Sequence, residues 1–210
     1  MKFLILTKSA KIGNLCVAGI DIETGNKVRL VTASHFGLHG ALTDNDMKCE
    51  DGSYAELLDV VEVQTLGNEG NAYQPENEII DRRYAFKKIG RVASIIEVIQ
   101  HFGTDGLSSI FGNFGYYVME DTIEDVGYSL VLLRVSDLQI ETGSNSEGKT
   151  KTKASFVYQG RRYKKMSVTD HNYFGADGVH IQNACIVMSI GTPVYDKFFK
   201  FVAAIYPINT

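Results

Sequence analysis

The sequence predicts a mainly β fold: two small barrel-like units in tandem, with one amphipathic helix near residues 91–102. Three features carry that expectation. Short apolar segments of strand character recur along the whole chain, separated by turn residues. Two of those separations are tight-turn sequences, Glu23-Thr24-Gly25-Asn26 and Gln159-Gly160. The stretch with helical spacing lies near the middle of the 210 residues, beside a glycine-containing joint, as it should if the chain divides into two domains of about 100 residues each. The units are placed at 1–112 and 113–210.

The chain opens on an apolar run, 2–7, and segments 15–21 and 27–32 flank the first turn. Segment 57–66 alternates, with Val61 and Val63 on one face and Glu62 and Gln64 on the other. In 91–102 the apolar residues Val92, Ile95, Ile96, Ile99 and Phe102 fall at helical spacing, and Gly103 is the stop. Segment 104–115 reads as a linker or long loop. Segment 128–135 is almost wholly apolar and reads as a buried strand. Residues 141–148 are polar and read as a second, mobile loop. Segments 154–158 and 161–168 flank the second turn, and 184–190 and 198–206 complete the series.

Hydrophobic residues make up 44% and charged residues 22%, a globular composition that makes disorder the wrong default. The net charge of −4 is unevenly spread: seven of the 21 basic residues fall in 148–169 with no acidic residue, and the other 14 face all 25 acidic ones. Such a molecule is electrically polarised. Cys16, Cys49 and Cys185 are widely spaced and form no CxxC, so free thiols are expected and neither a zinc site nor a disulfide framework is signalled. The apolar run at the start is too short for a secretory signal. No apolar stretch approaches the roughly 18 residues of a membrane span. A soluble, cytoplasmic protein is expected.

Several strings in one order resemble a known family. Leu6-Thr7-Lys8-Ser9, Cys16-Val17-Ala18-Gly19-Ile20-Asp21 and Val28-Arg29-Leu30-Val31 open the series. Leu58-Asp59-Val60-Val61, Gln74-Pro75-Glu76-Asn77 and Met166-Ser167-Val168-Thr169-Asp170 follow, and Ile186-Val187-Met188-Ser189-Ile190 and Phe201-Val202-Ala203-Ala204-Ile205 close it. Together they resemble the dual OB-domain proteins. Lys27 and Leu30 depart from the family, which tends to hold an aromatic and a proline there. The resemblance implies two OB-like barrels, a binding role, and a setting in prokaryotic defence or mobile-element systems.

Two groups of residues are candidates for that binding. In 148–169, Lys149, Lys151, Lys153, Arg161, Arg162, Lys164 and Lys165 surround Phe156, Tyr158 and Tyr163. Cations neutralise phosphates and aromatic rings stack on bases, the means by which OB folds hold single strands; the bland alternative is a lysine-blunted sheet edge. The second group is a polar set. Lys8, Ser9 and Arg29 are placed at the mouth of the first barrel. Gln74, Glu76 and Asn77 have groups that read a base or ribose edge, or that fix a loop. Thr169 and Asp170 bind a ligand hydroxyl or cap a turn. His171 beside Asp170 is not taken as catalytic, since neighbours on an extended chain point to opposite sides. Cys16 is read as structural, and His35 and His39 as loop residues.

No P-loop, GxGxxG, HExxH or GxSxG string occurs. The sequence is therefore read as a nucleic-acid or nucleotide-binding accessory module, with single strands or nucleotides as partners and with no metal, cofactor or catalytic residue assigned. The alternatives are a small-molecule enzyme using the cleft between the barrels, or a protein-interaction subunit of a defence complex.

Overall fold

The computed structural model describes residues 1–104, 106–144 and 148–208. The N-terminal unit comprises β1 (Lys2–Lys11), β2 (Asn14–Asp21), β3 (Lys27–Val31), β4 (Asp59–Glu62), β5 (Thr65–Asn68), β6 (Asn77–Ile80) and β7 (Lys87–Arg91). These form one sheet in the order β5-β6-β3-β2-β1-β4-β7 that curls as a half-barrel. β6 runs parallel to β3, whereas β7 runs antiparallel to β4. The expected strand at 57–66 is broken into β4 and β5, and its partner limb into β6 and β7. Arg82 and Arg83 in the break turn to Asp46 and Asp81.

β1 and β2 meet with unusually little room. A Cβ on Gly19 would lie 1.8 Å from the Leu4 carbonyl oxygen, so this rung needs glycine. Beside it the register slips between Ile5 and Thr7. The Thr7 hydroxyl fills the gap, accepting from the Ala18 amide at 2.9 Å and donating to the Cys16 carbonyl at 3.2 Å.

The expected helix is α1 (Ile95–Phe102). It starts later than the apolar spacing suggested because Arg91 belongs to β7, where it pairs with Asp59 at 2.7 Å. Ser94 caps it, its hydroxyl accepting from the Ile96 amide. Segment 104–115 is no simple linker: it holds a 3-10 turn, Ile110–Gly112, with Ile110 and Phe111 fully buried in the C-terminal core. The boundary expected from the sequence, 112/113, would fall just after that turn. β8 (Tyr117–Met119) and α2 (Glu120–Val126) follow, neither of which the apolar pattern marked.

The C-terminal unit comprises β9 (Leu130–Ser144), β10 (Thr150–Tyr158), β11 (Arg161–Val168), β12 (Val179–Ile190) and β13 (Lys197–Pro207). Their order is β11-β10-β9-β12-β13, with β11 also parallel to β13, so the five strands close into a ring. Gln159 and Gly160 both adopt positive φ, the two-residue turn their sequence signals. Of the loop expected at 141–148, residues 141–144 belong to β9, and 145–147 lie outside the described residues.

The continuous apolar runs are buried on both faces. Phe3 and Ile5 point into the first barrel, while Leu4 and Leu6 pack between the barrels. Val131 and Leu133 of β9 point into the second barrel, and Leu132 joins Leu4 and Leu6. Cys185 and Val187 of β12 and Ile95, Val98 and Ile99 of α1 complete this middle layer. The barrels thus stand back to back on a shared apolar seam. Among the described residues no helix is long and apolar enough to cross a membrane.

Candidate functional site

Bonds across the seam set the positions of the polar candidates. Arg29 on β3 is 1% exposed. Its Nη1 donates to Asn77 Oδ1 at 3.1 Å and its Nη2 to the Ser129 carbonyl, on the other barrel, at 3.5 Å. Gln74 bridges likewise, donating through Nε2 to the Ile190 carbonyl at 2.9 Å. Glu76 is a clamp: its carboxylate accepts from the Ser129 amide (2.6 Å), the Ser129 hydroxyl (2.7 Å) and the Leu130 amide (3.2 Å). Of the two readings offered for this set, loop fixing describes Glu76; Asn77 also accepts from Arg29, and Gln74 lines a cleft with it.

Ser9, Arg29, Gln74 and Thr169 line one cleft of about 250 Å³ between the barrels. Lys8 and Asp170 belong elsewhere. They line a shallower hollow of about 290 Å³, where Lys8 pairs with Glu56 at 2.9 Å. Asp170 is a cap, its two oxygens accepting from the Asn172 amide at 2.9 Å and the Ile205 amide at 2.8 Å. Burial raises its carboxyl above the usual range, against those two bonds. Lys11, Ser189, Phe199 and Phe201 also line the cleft. Sequence reading missed them because β12 and β13 look like plain apolar strands; a lone serine inside Ile186-Val187-Met188-Ser189-Ile190 was the available signal.

The basic hairpin divides by face. Lys149, Lys151, Arg161, Lys164 and Lys165 are exposed. Lys153 is half-buried, donates to Ser167 Oγ at 2.8 Å, and is held low first by burial and then by Lys151. Arg162 is paired with Asp137, which also meets His180 Nε2 at 2.8 Å. Lys164 and Lys165 together oppose Ser155, a bulge in which Lys165 adopts φ 56°. The aromatic rings require a correction. Tyr158 and Tyr163, expected to stack on bases, are 5% and 1% exposed and lie in the barrel core with Phe156. Alternation puts 154, 156 and 158 inward on β10. Tyr163 stacks on Phe156 at 5.5 Å, and its oxygen accepts from the Ile110 amide at 3.0 Å. Among the described residues, no group of three or more His, Cys, Asp or Glu is placed to hold a metal.

A five-stranded ring with its third and fifth strands parallel is the arrangement of an OB barrel, and the N-terminal half-barrel repeats the strand order. The class is therefore a tandem OB binding module. The family model for the dual OB-containing domain matches residues 1–205, and the chain belongs to that family. No curated protein and no solved structure matches it.

Proposed function

We propose that the protein is an accessory module that binds single-stranded nucleic acid or nucleotides through the outer face of the β10–β11 hairpin. What supports this reading is position. β10 and β11 are the second and third strands of the C-terminal OB barrel, the face on which such barrels hold oligonucleotides, and there Lys149, Lys151, Arg161, Lys164 and Lys165 are exposed. Binding on this face is carried by phosphate contacts, since the rings of Tyr158 and Tyr163 are turned inward. It is accordingly indifferent to sequence and sensitive to salt. The setting in a prokaryotic defence or mobile-element system, which the family resemblance implies, is part of the same proposal.

The test is affinity for single-stranded DNA and RNA at two salt concentrations. Lys151→Glu with Lys164→Glu is expected to weaken binding to all sequences alike, and each lost phosphate contact to flatten the log–log salt slope by about 0.7. No binding by the parent at low salt, or unchanged affinity in the double variant, overturns the proposal.

A further inference from the structure

The inter-barrel cleft has an unusual electrical character. No Asp or Glu is among its lining residues, yet Arg29 and Lys11 both are. A guanidinium carries five N–H donors, and that of Arg29 makes only two bonds to described residues, to Asn77 and to the Ser129 carbonyl. Neither acceptor is a carboxylate. Lys11 is half-buried and forms no ion pair with a described residue. Burial holds its amine below the usual lysine range; Cys16 opposes this and the nearby Arg29 charge adds to it. Two cations that repel each other, one of them buried, are costly without a counter-charge.

The other walls describe what the counter-charge is attached to. Ser9 and Ser189 are 2% and 6% exposed, and their hydroxyls make no hydrogen bond to another described residue. With Thr169 they give the cleft hydroxyl donors beside the cations. Phe199, Phe201 and Val194 form an apolar wall. The volume of about 250 Å³ falls just below the roughly 300 Å³ at which drug-sized pockets begin. It suits a single small ligand rather than a length of strand.

We propose that this cleft, lined by Arg29 and Lys11 and by Phe199 and Phe201, binds a nucleoside monophosphate group, with the phosphate on the cations and hydroxyls and the flat ring on the apolar residues. The group is either free or the phosphorylated end of a strand. The inference stands apart from the binding face on β10–β11, because the two share no residue.

The experiment is calorimetric titration of the intact protein with AMP, GMP, CMP and UMP, with the matching nucleosides, and with one oligonucleotide carrying or lacking a 5′-phosphate. Monophosphates are expected to bind and nucleosides to bind about tenfold or more weakly. Preference for the free nucleotide, or for the phosphorylated oligonucleotide over its unphosphorylated twin, identifies the source. Lys11→Met, which breaks no hydrogen bond to a described residue, is expected to weaken the monophosphate about tenfold or more. Arg29→Gln is the second variant, its folding checked by circular dichroism. An oligonucleotide lacking a 5′-phosphate is expected to bind Lys11→Met as it binds the parent, which separates failure here from failure of the hairpin face. No monophosphate binding at millimolar concentration, unchanged binding in Lys11→Met, or tighter binding of succinate than of AMP overturns the proposal.

Discussion

Lys200 shows how a single residue couples the C-terminal core to pH. It is 1% exposed on β13, and its amine donates to the Ile110 carbonyl (2.6 Å), the Asn113 carbonyl (2.7 Å) and Asn113 Oδ1 (2.9 Å). No carboxylate is among those partners, so burial pushes the amine down to about 7 from 10.5. Between those two values the unfolded chain holds more protons than the folded one, so stability rises with pH across that window and is lost as pH falls toward 7. The denaturant midpoint is expected to be higher at pH 9 than at pH 7. Lys200→Met is expected to show a smaller rise, and to cost about 1–3 kcal/mol at pH 7 by leaving buried acceptors unpaired. An equal pH response in parent and variant contradicts this account.

At the scale of the element, the β10–β11 hairpin separates two duties by alternation. One face carries Tyr158, Tyr163 and Phe156 into the core, and the other carries lysines to solvent. Tyr163→Phe removes the acceptor for the buried Ile110 amide. It is expected to lower stability by about 1–3 kcal/mol while leaving nucleic-acid affinity unchanged in the folded variant. Chemical denaturation and a binding isotherm on the same preparation check both halves. A fall in affinity without a fall in stability restores the stacking role for this ring.

For the whole molecule the seam decides cooperativity. Glu76 clamps Ser129 and Leu130, Gln74 reaches Ile190, and the Tyr206 hydroxyl donates to the Leu6 carbonyl at 2.7 Å. Beneath them Leu4, Leu6, Val98, Ile99, Leu132 and Val187 bury one continuous apolar layer. The two barrels are therefore expected to unfold in one transition, coincident by far-ultraviolet circular dichroism and by tyrosine fluorescence. Glu76→Gln, which replaces one accepting oxygen by a donor, is expected to cost about 1.5–3 kcal/mol. Two separated transitions in the parent count against a shared core.

The sequence by itself determined the class of the fold, the two tight turns, the helix that ends at Phe102, and the family. These rest on local signals: alternation, a Gln-Gly pair that tolerates positive φ, apolar residues at helical spacing. It marked β9 as a buried strand and β1 only as an apolar run, and not what buries their second face, because the partner strand lies more than a hundred residues away in the chain. It named Arg29, Gln74 and Asn77 together, and it assigned Tyr158 and Tyr163 to the wrong face. Lys11, Phe199 and Phe201 were silent as site residues in sequence, and Ser189 gave only the signal of a lone serine in an apolar strand. Only the packing of one barrel on the other decided which side chains share a cleft, since that depends on the register of contacts between distant strands and not on any pattern within one of them.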